Sequence, residues 1–207
     1  MLTRITLLLS AFVATPALAQ GPGPAPPAQA PQAELVPVAI DTSLGRIVLA
    51  LDPVDAPVTA ANYLHYVDTH RFDGESFYRT MHMGDGGLIQ GGVRSDARKL
   101  YPPIAHEPSS RTGLKNVAGA VSMARLAPGS AQADFFILLS DTPGFDAGAP
   151  GGDADGFAVF GHVVEGIDVV KKIAASPVDP NKGEGVMKGQ FLDPAVTIVK
   201  AERLGAP

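Results

Sequence analysis

Apolar residues recur at every second position through much of this chain, and short breaks rich in Gly, Pro and Asp separate the runs. Val36, Val38 and Ile40 alternate with Pro37 and Ala39, residues 41–45 turn, and Ile47, Leu49 and Leu51 alternate with Val48 and Ala50. That spacing predicts a β-hairpin, with Pro37 at a sheet edge or strand start because it has no N–H to give to a ladder. Residues 52–57 interrupt the run. Pro57 suits the first position of a helix reaching Thr69, since its missing donor would be unpaired there anyway. In that helix Ala60, Tyr63, Leu64 and Val67 fall on the core face, with His65 and Asp68 pointing away.

A second hairpin is expected from 77–81 and 88–90, joined by Gly84, Asp85, Gly86 and Gly87. Strict alternation would put Phe77 and Arg79 on one face and Tyr78 and Thr80 on the other. Small-residue or strongly apolar strands are expected at 119–124, 134–139, 157–161 and 195–199. A short helix at 165–174 would carry Ile167, Val170 and Ala174 on one face. The stretches 93–115 and 125–133 read as connections with little regular structure. Many short strands with two helices predict a mainly β domain, a closed antiparallel β-barrel of about eight strands capped by two α-helices.

The first residues follow a different rule. Arg4, an apolar run over 5–13 and the Ala17-Leu18-Ala19 triplet read as a secretory signal peptide over 1–19, too short to span a membrane. The uncharged, Pro-rich stretch 20–33 has no periodic apolar face to bury and reads as a linker. One domain is then expected over 34–207, periplasmic or secreted, monomeric and without stable membrane insertion after cleavage.

Charge and composition narrow the chemistry. The net charge is −5, and loss of Arg4 with the leader makes it −6, with no basic stripe to hold a nucleic acid. The absence of cysteine excludes disulfides, thiolate metal sites and cysteine nucleophiles. Asp153 and Asp155 in GGDADG lack the spaced ligands and closing glutamate of a calcium loop, and the histidines are scattered, so neither metal nor cofactor is expected. His106 and Glu107 could form an acid–base pair, but neighbours in a loop are more often solvated. There is no nucleophile elbow, P-loop or dinucleotide fingerprint.

Candidate chemistry concentrates in 77–92, FYRTMHMGDGGLIQGG, where the hairpin brings Arg79 and Gln90 close enough to serve one site. Singly, a strand arginine or glutamine is most often a solvated side chain, and paired glycines only mark a bulge. The order of several motifs carries more: F-x-R, then I-Q-G-G, then S-M-A, F-F-I and F-A-V-F-G. In that order they resemble the cyclophilin family of peptidyl-prolyl cis-trans isomerases, over most of the chain from Val36 to Leu204.

The resemblance implies that Arg79 is catalytic and that proline-containing polypeptides are the substrates. It implies a proline pocket of Phe136, Leu88 and Phe145, with Phe77 and Phe157 also lining the site, Gln90 bonding the substrate backbone, and the Ala124–Arg125 backbone pairing with the peptide as a strand. Departures from the family pattern are specific. The Arg79-to-Gln90 spacing is about three residues longer than usual, a change a turn can absorb. Gly87 stands where a pocket phenylalanine is expected, and Leu88 where methionine is usual. Gly144 stands where the family has a phenylalanine or the tryptophan associated with tight cyclosporin binding. Arg125 replaces a common asparagine, Asp134 a common glutamine, and Phe157 a histidine or tyrosine. The pocket is therefore expected to grip proline weakly. A proline-peptide-binding or holdase module with little isomerase activity, and an envelope structural domain, are the competing readings.

Overall fold

In the structure, a computed structural model, residues 34–84 and 86–205 are described. The leader and linker expected over 1–33 lie outside the described residues, as does Asp85 in the hairpin turn.

The opening hairpin forms from β1 (Val36–Thr42) and β2 (Gly45–Leu51), and α1 (Pro57–Asp68) follows with Pro57 in its first turn. The second hairpin pairs β3 (Ser76–Met83) with β4 (Gly86–Gly92). After the four-residue α2 (Ser109–Thr112) come β5 (Ala120–Met123), β6 (Phe135–Leu138), β7 (Val159–Glu165), α3 (Ile167–Ala174), the two-residue β8 (Val178–Asp179) and β9 (Phe191–Arg203). The strands lie in the order β1-β2-β7-β5-β6-β4-β3-β9, and a β1–β9 pairing closes that ring of eight, with β8 hanging on β9 alone. Closure leaves the ring without an unpaired edge.

Two apolar clusters divide the faces of this wall. The larger fills the interior and draws on every ring strand, with Tyr63, Tyr66 and Val67 of α1 and Val170 and Ile173 of α3 plugging it. Its centre is aromatic: Tyr63 meets Phe72 at 5.0 Å and Phe135 edge-on at 5.1 Å, and Phe135 meets Phe77 at 5.6 Å. Burying each such ring fully is worth roughly 1.5–3 kcal/mol. The smaller cluster, Leu88, Ala120, Phe136, Leu138 and Val159, lies on the outer face of the same strands. In β6, Phe135 and Ile137 therefore point in while Phe136 and Leu138 point out, yet all four are buried. A strand covered on both faces reads as a continuous apolar run, which is why DFFILL shows no alternation.

The second hairpin departs from strict alternation. Phe77 pairs with Gly91, but Arg79 pairs with Gln90, so Tyr78 is an extra residue on β3. A bulge of this kind places two successive residues on one side. Phe77, expected beside Arg79, is instead fully buried in the interior, while Tyr78 and Arg79 both face outward. Alternation then resumes, Thr80 inward with its hydroxyl donating to the Ala174 carbonyl of α3, and Met81 outward. A second correction concerns α3, where Ile167 is exposed and the core face is carried by Val170, Ile173 and Ala174.

Candidate active site

The outward side chains of β3, β4 and β6, with the connections after β5 and before β7, surround a cleft of about 820 Å³. Of the residues predicted for the site, Arg79, Leu88, Gln90, Ala124, Arg125, Phe136, Phe145 and Phe157 line it, and Phe77 does not. Pairing of Arg79 with Gln90 across the hairpin sets their side chains side by side.

Arg79 is largely buried, and burial pulls its pKa down from the usual arginine value. An arginine remains charged through such a change. Its Nη1 donates to Gln90 Oε1 at 2.7 Å. Nε and Nη2 both donate to Gln190 Oε1, at 2.9 and 2.6 Å, and Nη2 also lies 3.4 Å from Met81 Sδ. Gln190 was not anticipated from the sequence. It sits in a Gly- and Lys-rich turn before β9, 111 residues from Arg79, where no motif marks it.

Beside the arginine lies an aromatic pocket. Phe136 meets Phe145 edge-on at 5.8 Å and Phe157 edge-on at 5.3 Å, and Phe145 and Phe157 are 4.9 Å apart, with Leu88, Met81 and Ala124 packed around them. Buried Asn116 fixes Phe145: its Nδ2 donates to the Phe145 carbonyl at 3.0 Å, and its Oδ1 accepts from Ser122 Oγ at 2.8 Å. Arg125 fixes Phe157. Its guanidinium lies 5.1 Å over that ring, donates to the Gly156 carbonyl and pairs with Asp153 at 3.0 Å, which holds the Asp153 carboxyl below its usual range. Asp153 is thus a latch for the pocket wall.

Around the other end of the cleft, the phenol of Tyr78 donates to Asp134 Oδ2 at 2.7 Å, with Arg94 lying 4.5 Å over the Tyr78 ring. Burial raises the pKa of both Tyr78 and Asp134, so the phenol keeps the proton it donates. His106 and Glu107 do not join the site as a pair. The His106 ring bonds the Asp155 carbonyl at 2.9 Å, whereas Glu107 is buried against α1. Of the backbone expected to receive a peptide, the Ala124 N–H is already given to the Asp134 carbonyl at 2.8 Å. The Ala124 carbonyl and the Arg125 N–H make no hydrogen bond among the described residues.

Residues 37–203 match the family model for cyclophilin type peptidyl-prolyl cis-trans isomerase/CLD. The chain belongs to the cyclophilin family. This cyclophilin is 39% identical over 142 residues to peptidyl-prolyl cis-trans isomerase A of Dickeya dadantii, covering 66% of this chain and 70% of that one. With peptidyl-prolyl cis-trans isomerase cyp18 of Streptomyces antibioticus it shares 37% identity over 149 residues, 70% of this chain and 87% of the relative. The crystal structure of a cyclophilin-type isomerase of Cryptosporidium parvum superposes with a TM-score of 0.65 at 19% identity, covering 84% of this chain and 99% of that one, a likeness of fold. The cyclophilin is accordingly an enzyme, a peptidyl-prolyl cis-trans isomerase.

Proposed function

We propose that this cyclophilin accelerates rotation about X-Pro bonds by binding the twisted amide through Arg79. Amide resonance opposes the rotation with a barrier of roughly 18–20 kcal/mol. As the bond twists, the prolyl nitrogen loses conjugation and regains a basic lone pair, which a guanidinium N–H can meet. That hydrogen bond exists only in the twisted state, so it lowers the barrier rather than merely tightening binding. Phe136, Phe145, Phe157 and Leu88 hold the pyrrolidine ring away from water. Gln90 uses Oε1 on Arg79, and its Nε2, with no acceptor among the described residues, donates to a substrate carbonyl. The Ala124 carbonyl and Arg125 N–H pair with the extended peptide.

The observation that carries this reading is a buried guanidinium held at the rim of an aromatic pocket. Arg79→Ala should lower kcat by at least about a hundredfold with the fold intact, and Arg79→Lys should restore little, because a point ammonium lacks the planar fork. An active, folded Arg79→Ala protein in a proline-isomerisation assay removes the mechanism.

The substrates we propose are proline-containing segments of exported proteins, met in the periplasm or outside the cell by a monomeric enzyme. The reading rests on the apolar run over 5–13 and the Ala17-Leu18-Ala19 triplet. Intact mass of the exported protein should give an N-terminus at Gln20, and retention of Met1 in that fraction would refute it.

A further inference from the structure

Gln190 reaches Arg79 from outside the hairpin that carries the rest of the arginine's contacts. Its Oε1 takes both Nε and Nη2 of Arg79, while its Nε2 donates to the Val186 carbonyl at 2.7 Å. Only one orientation of the amide satisfies this, because arginine offers donors alone. The backbone is fixed as well: the Gln190 carbonyl accepts from Thr80 N at 2.9 Å, so the turn before β9 cannot drift from β3.

The acceptors around the guanidinium share a second property. They are the amide oxygens of Gln90 and Gln190 and the sulfur of Met81, all neutral, and none of the ion pairs among the described residues includes Arg79. A largely buried arginine is ordinarily paired with a carboxylate, which compensates its desolvation. A carboxylate at this point would hold the side chain in place equally well. It would also cancel the positive field where the twisted amide needs it and compete for the N–H groups that face the prolyl nitrogen.

We propose that Gln190 is a positioning residue that aims Arg79 at the prolyl amide through a neutral acceptor, fixing the guanidinium while leaving its charge free for the twisted state. The inference rests on the reading of Arg79 given above. It gives the segment before β9 a part in the reaction, since that segment also brings Met187 to the rim of the cleft.

Gln190→Ala, Gln190→Glu and Arg79→Ala, singly and combined, are assayed for kcat and KM on a proline peptide, with melting temperatures to check folding. Gln190→Ala should lower kcat about tenfold and leave KM within about twofold, the pattern of a group that acts only in the transition state. Gln190→Glu keeps the shape and the accepted hydrogen bonds, yet should lose at least as much kcat because it neutralises Arg79. Neither change should add to the loss already present in Arg79→Ala. A Glu variant as active as wild type, or the same fractional loss from Gln190→Ala with and without Arg79, makes Gln190 merely structural and overturns the proposal. Should Arg79→Ala abolish activity while both Gln190 variants match wild type, this inference falls and the arginine mechanism stands. Should Arg79→Ala remain active, both fall.

Discussion

Gly144 lies in the 3-10 turn Pro143–Phe145 with nothing within 4 Å of where a Cβ would be. Gly87 is its opposite: at φ +151° a Cβ would sit 2.1 Å from the Met81 carbonyl oxygen. The family resemblance sets an aromatic ring at both positions, but only Gly144 has room for one. Gly144→Trp should therefore fold normally and bind cyclosporin more tightly than the wild type, by about tenfold for part of a buried aromatic surface. Titrating isomerase activity with that inhibitor reads the difference, and unchanged inhibition would mean that Phe145 already fills the ring's place. Gly87→Phe should instead give misfolded or strongly destabilised protein, visible as a lowered denaturation midpoint, because strand pairing with His82 fixes the backbone there. The aromatic rings beside Phe136 come from Phe145 and Phe157 in the β6–β7 connection.

Two buried carboxylates tie connections to elements far away in sequence. The N-cap position of α1, Ala56, has no side chain to offer, and Glu107 serves in its place, accepting from Val58 N at 3.2 Å, Thr59 N at 2.7 Å and Thr59 Oγ1 at 2.6 Å. A carboxylate suits the positive end of a helix. Glu107→Ala leaves both Thr59 donors buried and unpaired, and chemical denaturation should show a loss of about 2 kcal/mol. Glu75 holds the stretch after β4: it accepts from Arg94 N, Ser95 N and Ser95 Oγ and pairs with Lys99 at 2.8 Å. Burial opposes its ionisation, but the bonds from Lys99, Ser95 and the two backbone N–H groups outweigh that and hold its pKa below the usual glutamate value. The native state therefore favours the ionised form, and the stabilisation is present above the unfolded pKa and lost as pH falls through the folded one. The stability difference between wild type and Glu75→Gln should be widest at neutral pH and close below about pH 4. A constant difference across that range would show that the charge of Glu75 is not what secures the segment.

At the level of the molecule, β1 to β4, α1 and the strands around Val121, Ile137 and Val159 were readable from the chain because each is either a periodic or a continuous apolar run set off by more polar or Gly- and Pro-containing breaks. What could not be read depends on partners remote in sequence. The bulge at Tyr78 is set by the pairing of β3 with β4 and β9, and it sent Phe77 to the interior against a simple alternation. Nothing local marks Gln190 or Glu107, whose roles exist only once strands and loops meet. β9 was expected only at 195–199, since Pro194 and the exposed Asp193, Ala195 and Lys200 hide a strand that runs from Phe191 to Arg203.

The cleft sits on the outside of the barrel wall, with Phe135 turned to the interior and Phe136, the next residue, turned to the cleft. A long polypeptide with both ends already anchored, in a half-folded domain or a larger assembly, can thus lay an internal proline across the surface and leave sideways. No free terminus has to be threaded. The enzyme can act late on a client, after most of its structure has formed, when a single wrong peptide bond is all that delays completion.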